Sequence, residues 1–440
     1  MRFTPWATRL VLTLSLSATA FLTACGSGGS GGGSTQVRLL NATQSYPSLD
    51  LTVNDKTINS KVAYGTVGEY GSVDTANTAT KILAGDAGTS ISAATPSLNT
   101  SPNYTFIAYG FAGAVRTSLL EENQTAPDTG KAKLLILNLA PDAGQLDVYV
   151  MGASDTPDTA TAAVTALNGG SGSGYISFNS GTFRVRVTGT TKRNDLRLDI
   201  PAVTLDSAGV HTLVLTSASS GTLVNGIQLT QKGAAKAFAN TLARVRAVNA
   251  LAGTPIVAAS VNGTTLLPAS LPPNVSEYVS LTAGGGNATV TVNGAAIGVT
   301  SQTLAAGGDY TLLISGTAGT AAGVWVTDDN RLPAVSGTAK IRLINGLSDP
   351  TAVTTLNVDY TAIVSNVLPG TASAAQTVST GTTGSLITVN SPLQLAPLYN
   401  PATGISSSGL TQLSSGGVYS VFVMGDPKAT TVAGKLAKDR

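Results

Sequence analysis

One six-residue pattern returns four times along this chain, and that return limits the folds open to it. Gln36-Val-Arg-Leu-Leu-Asn41 recurs as Lys133-Leu-Leu-Ile-Leu-Asn138, Arg244-Val-Arg-Ala-Val-Asn249 and Lys340-Ile-Arg-Leu-Ile-Asn345, at intervals of roughly a hundred residues. Each copy leads through a polar turn to an alternating stretch: Leu49-Asp-Leu-Thr-Val53, Leu146-Asp-Val-Tyr-Val150, Val257-Ala-Ala-Ser-Val261 and Leu356-Asn-Val-Asp-Tyr360. A period of two sends alternate side chains to opposite faces, one row into a core and one towards water. Each unit closes on a ring followed by Thr or Ser and an apolar run, beginning at Tyr104, His211, Tyr310 and Tyr419.

A repeat of that length is a domain rather than a solenoid turn, because it can bury a core without its neighbours. Short strands and frequent turns within each unit predict an all-β chain of tandem β-sandwiches, immunoglobulin-like or transthyretin-like. The units span 36–130, 131–242, 243–337 and 338–440. Asn225-Gly226, Asn262-Gly263 and Asn293-Gly294 each read as a tight hairpin turn, since both turn positions need positive φ. Ala234 to Leu242 is the one stretch outside the N-terminal segment that reads as a short linker helix. Glu121-Glu-Asn123 leads to Pro127 and Gly130, and Asp328-Asp-Asn330 leads to Pro333 and Gly337. Units one and three share this exit while two and four do not, which points to duplication of a pair.

Ahead of the first unit, Arg2 and Arg9 precede the apolar run Leu10 to Leu22 and the small residues Thr23 and Ala24. That order is a secretory signal, and the run is shorter than the ~20 apolar residues a bilayer span needs. Leu22-Thr-Ala-Cys25 resembles the lipobox of bacterial lipoproteins, and Cys25 is the single cysteine of the chain. The resemblance implies a signal peptide over 1–24, cleavage after Ala24 and lipidation of Cys25. Gly26, where an Asp often marks inner-membrane retention, is similar to outer-membrane sorting. Residues 25–35 then form the lipidated Cys and a Gly/Ser tether, in which Gly26 to Ser34 has no side chain able to bury anything and no Lys follows to make it a phosphate loop.

Composition narrows the function classes. Only 11% of residues are charged, against about 25% in an average soluble protein, and the formal net charge is +2. Loss of Arg2 and Arg9 brings the mature chain near neutral, so nucleic acid, whose binding is driven by phosphate neutralisation, is not an expected partner. One cysteine excludes a disulfide framework, and one histidine leaves nucleophile triads and zinc sites without a donor set. No catalytic residue and no cofactor is implied.

Five smaller groups of residues bear on function. His211 stands where the other units carry Tyr, and reads as a packed ring rather than a general base. Asp50 and Asp147 are equivalent, but Ala258 and Asn357 replace them elsewhere, which fits strand-face acids better than a glycosidase pair. Glu121, Glu122, Asp128, Asp328 and Asp329 are calcium-ligand candidates at unit junctions, without the spacing of an EF-hand. Arg184, Arg186, Lys192, Arg193 and Arg197 form a candidate anion-binding patch, gathered by a hairpin on one face and suited to phosphate or acidic sugar. The Asn closing each opening strand is expected to bond the backbone two residues on and start the turn.

Leu139-Ala-Pro-Asp-Ala-Gly-Gln-Leu-Asp-Val-Tyr-Val-Met-Gly152 resembles the repeats of the DUF4397 family, which read roughly V-R-V-x-H-x-S-P-D-A-P-x-V-D-V-Y-V-x-G. The match is best in unit two and weaker in the other three, but spans most of the mature chain. The family's usual His is Asn41, Asn138, Asn249 and Asn345 here, so no imidazole role carries over. The resemblance implies a bacterial envelope or secreted protein without an assigned activity, and it transfers no active-site residue. The expected function is therefore structural or adhesive, at the envelope, with membrane contact through the lipid and a glycan or protein partner. An envelope polysaccharide hydrolase or its carbohydrate-binding accessory is the alternative.

Overall fold

The opening strands carry apolar residues on both faces, and this decides where they sit. In Ser34–Asn41, Val37 and Leu39 enter the core of their own unit while Leu40 is buried against the next one. Strands buried on both sides belong at the centre of a sheet and pair readily in parallel. Each opening strand does so with the late, ring-bearing strand of its unit, in registers that set Val37 opposite Tyr104, Leu134 opposite His211, Val245 opposite Tyr310 and Ile341 opposite Tyr419.

The computed structural model describes residues 33–85, 88–382, 384–390, 395–397, 410–428 and 432–440. The expected signal peptide, Cys25 and all but the end of the expected tether lie outside the described residues. The architecture is tandem all-β sandwiches. In the first unit one sheet runs Gly71–Asp74, Ser34–Asn41, Asn103–Tyr109, Arg116–Glu122, and the facing sheet runs Lys56–Ala63, Ser48–Val53, Thr80–Ala84, Thr89–Ala94. Leu49, Leu51 and Val53 of the alternating stretch meet Val37, Leu39 and Phe106 across the sandwich. Units two, three and four repeat this plan, each with its own two-sheet core.

The closing rings form a recurrent corner. The hydroxyls of Tyr104, Tyr310 and Tyr419 accept a hydrogen bond from the backbone N–H five residues upstream, of Asn99, Ala305 and Ser414, at 3.0, 2.9 and 2.8 Å. In unit two His211 Nε2 accepts the N–H of Asp206 at 3.1 Å. Each ring spans the same bend and satisfies an otherwise buried donor. The four asparagines are equally regular and are fully buried. Asn41, Asn138, Asn249 and Asn345 accept through Oδ1 from the N–H two residues on, and donate through Nδ2 to carbonyls of the facing turn.

Two local expectations fail. Ala235–Phe238 is a strand on the edge of Val224–Thr230, not a linker helix. A segment that short has too little intrinsic helicity to compete with an open sheet edge. Asn262-Gly263 and Asn293-Gly294 do turn, with φ of 49°, 79°, 50° and 82°. Asn225-Gly226 instead lies inside the buried strand Val224–Thr230, because the chain reverses earlier, between Ser217 and Val224. Gly226 fits closely there: a Cβ would lie 3.0 Å from Ile200 Cδ1, which would have to give by a few tenths of an ångström.

The units also pack in pairs. Leu40, Ile107 and Tyr109 of unit one share a core with Leu135, Val214 and Ile227 of unit two. Val248, Ala250 and Leu313 of unit three share another with Ile344, Phe422 and Met424 of unit four. In both pairs the contact surface is the outer face of the sheet that holds the opening strand.

Candidate functional site

The densest chemistry of the described residues lies in these two seams. An arginine stands third in three of the four opening motifs, as Arg38, Arg246 and Arg342, and all three are buried. Period two turns it away from its own core, into the seam. Its Nε donates at 2.9 Å to the hydroxyl that follows the corner ring, namely Thr105, Thr311 and Ser420. Each hydroxyl donates in turn to an acid near the end of the neighbouring strand: Glu122, Asp328 (2.6 Å) and Asp439 (2.5 Å).

In the seam of units three and four the ion pairs cross over. Arg342 of unit four reaches Asp328 of unit three at 2.7 Å, and Arg246 of unit three reaches Asp439 of unit four at 2.5 Å. The Tyr278 hydroxyl donates to Asp328 at 2.7 Å, and the Arg246 guanidinium lies 4.5 Å from the Tyr278 ring centre. Burial pushes the Asp328 carboxyl up, but Arg342 and Arg246 outweigh it and hold it below the usual carboxylate range. Reciprocal exchange of this kind is what a two-fold contact between like subunits produces.

In the seam of units one and two a single pair remains. Glu122 receives Arg38 at 3.0 Å and Tyr70 at 2.9 Å, and Arg38 Nη1 donates to the Gly233 carbonyl of unit two at 2.7 Å. The Lys232 N–H of unit two also donates to Glu122. Unit two has Leu135 where the arginine would stand and Gln231 where the acid would stand. Gln231 exchanges two amide hydrogen bonds with the Gln124 backbone instead.

The calcium-ligand candidates are thus dispersed. Glu122 and Asp328 are taken up by seam cations, Asp329 holds Arg331 (2.7 Å) and Lys340 (3.0 Å), and Glu121 accepts from Asn123. Among the described residues no group of three or more His, Cys, Asp or Glu is arranged to hold a metal ion. Burial lowers the basicity of His211, in keeping with an imidazole that accepts through Nε2. Asp50 Oδ1 accepts the N–H of Lys61 and Asp147 Oδ1 that of Ala166, both residues at positive φ in the paired strand. These acids secure irregular strand positions, and neither is hydrogen-bonded to another carboxylate.

The cation patch is brought onto one hairpin, Gly181–Gly189 with Lys192–Leu205, but most of it is already engaged. Arg184 forms a two-pronged pair with Asp199, with Arg186 3.7 Å from the same acid. Arg193 donates to the carbonyls of Pro157 and Ala160 and lies over the Tyr149 ring. Arg197 is buried and pairs with Asp195 at 2.5 Å, while Lys192 is exposed. A shallow groove of 390 Å³ beside Ile363, Val364, Leu368 and Gln376 has no ionisable side chain in its lining.

The arginines of the seams escaped the sequence reading, although each stood inside a motif already singled out. An arginine within an otherwise apolar central strand was the available signal. Its acid lies 84 residues away for Arg38 and 193 for Arg246, too far for spacing to reveal.

A family model described as "Domain of unknown function (DUF4397)" matches residues 35–149 and again 243–356. Each match starts at the first unit of a pair and runs into the second, which repeats the pairing seen in the packing. No curated protein matches the chain. Among solved structures, the Bacillus anthracis TIE protein is similar at 10% identity, over 90% of this chain and 68% of that one, with a TM-score of 0.12.

Proposed function

Given that this chain belongs to the DUF4397 family, a family of unknown function, we propose that it is a non-enzymatic, lipid-anchored protein of the bacterial cell envelope. The observation that carries this reading is the order of three features: an apolar run, Leu22-Thr-Ala-Cys25, and a Gly/Ser tether into the first sandwich. Diacylglycerol on the Cys25 thiol supplies two chains, enough for a stable anchor at about 0.8 kcal/mol per buried CH2. Gly26 favours the outer membrane. The role is structural or adhesive, exercised through loops and outer sheet faces on a glycan or protein partner. Its support is chemical: the buried acids and cations of the seams are spent on one another, and Asp50 and Asp147 on backbone donors.

Mass spectrometry of the mature N-terminus tests the anchor. The expected result is an acylated Cys25 as first residue, and release of the Cys25→Ser variant from the membrane fraction. An unacylated N-terminus on membrane-extracted protein overturns the reading.

A further inference from the structure

Where units two, three and four meet, three arginines converge, and only two of them are ion-paired. Arg197 of unit two donates to the Thr222 carbonyl at 3.1 Å, and Arg244 of unit three donates to the Thr222 hydroxyl at 2.9 Å. Two guanidinium groups are therefore gathered on one residue. Each has a single acid: Asp195 for Arg197 and Asp309 for Arg244, both at 2.5 Å. The third cation, Arg440, reaches this junction from unit four, within 3.5 Å of where a Cβ on Gly144 of unit two would stand.

Arg440 forms no ion pair among the described residues, and its Nη1 is sealed from solvent without a hydrogen-bond partner. Arg197, 9% exposed, likewise leaves its Nε sealed and unpartnered. The neighbouring Asp142 does not supply the missing charge by contact, since its oxygens accept the Leu332 N–H at 2.8 Å and the Ser217 hydroxyl at 3.2 Å. Burial, reinforced by Arg197 and Arg244, brings the basicity of Arg440 down to about 10. A guanidinium held largely out of water without a paired acid is costly, and the two idle nitrogens, Arg440 Nη1 and Arg197 Nε, add to that cost.

We infer that the junction of Arg197, Arg244 and Arg440 is a binding site for one small inorganic oxyanion of the phosphate or sulfate class. Planar guanidinium forks suit the oxygens of such an ion. Arg197 and Arg244 are too buried to admit a larger phosphate ester, whereas the partly exposed Arg440 gives a free ion its way in. This site is separate from the exposed hairpin face: of the five cations gathered by sequence, Arg197 alone belongs to it, joined by two that lie far off in the chain.

The test uses the full mature chain in chloride buffer, titrated calorimetrically with inorganic phosphate and with sulfate at constant ionic strength. The expected result is saturable binding at one site and a raised melting temperature. Arg440→Met is expected to weaken that binding at least tenfold, while Lys192→Ser, on the exposed hairpin, leaves it within twofold. In chloride alone, Arg440→Met is expected to melt no lower than the parent, because it removes an uncompensated charge. Absence of saturable binding overturns the inference, as does equal affinity in Arg440→Met. An equal loss in Lys192→Ser would show general charge attraction instead of a site. An Arg440→Met variant that melts lower in chloride would show that the fold already compensates this cation.

Discussion

The two seams use the same surface and solve it differently. Between units three and four, two arginines and two aspartates cross over, so each unit supplies the counter-charge of the other. Between units one and two, one arginine and one glutamate remain, and their counterparts in unit two are Leu135 and Gln231. Cation and acid are missing together. The difference teaches that a buried ion pair can be exchanged for neutral groups, but only as a set. Removing one member leaves a desolvated charge, which costs far more than the pair contributes.

Unit two departs at the corner as well, with an imidazole where three units have phenols. Its Nε2 reproduces the acceptor but adds a titratable group, so the pair of units one and two carries a pH sensitivity that the other pair lacks. Burial lowers the folded pKa of His211 below its usual value of about 6.5, so the folded state binds fewer protons. The stability tied to this ring is complete above that value and is lost as pH falls through it towards the folded pKa.

Three variants bear on the contrast, from large effect to small. Asp328→Ala leaves Arg342 in the crossed seam with only its longer, 3.8 Å pairing to Asp439 and is expected to destabilise the chain by about 3 kcal/mol, read from urea unfolding. A loss under about 1 kcal/mol would mean that water already relieves this charge. Tyr419→Phe deletes one corner acceptor and leaves the Ser414 N–H unpaired, at an expected cost of about 1–3 kcal/mol. His211→Tyr is expected to change stability little near neutral pH but to flatten its decline as pH falls below about 6.5, followed by melting temperature. An unchanged slope would move that pH dependence to another group.

The frame of the molecule was legible because it is written in local signals. The fourfold motif, the alternation in Leu49-Asp-Leu-Thr-Val53 and the Asn turn at each opening strand all act within a few residues. Asn225-Gly226 and the stretch from Ala234 misled for the complementary reason, since tertiary pairing overrode a local preference. The seams were only half legible. Arg38, Arg246 and Arg342 are plain in the motif, but whether such a residue faces water or a neighbouring unit depends on how the sandwiches dock. The crossing of Arg246 to Asp439 follows from that docking and from nothing nearby in the chain.

The most direct test copies unit two into unit one. Arg38→Leu and Glu122→Gln are made singly and together in the mature chain, and each stability is read from urea unfolding as a double-mutant cycle. Either single change is expected to cost about 3 kcal/mol or more, because it leaves half of a buried pair behind. The double variant is expected to be more stable than either single one, with a coupling above about 1 kcal/mol. Losses that simply add would contradict the claim that these charges are held, and surrendered, as sets.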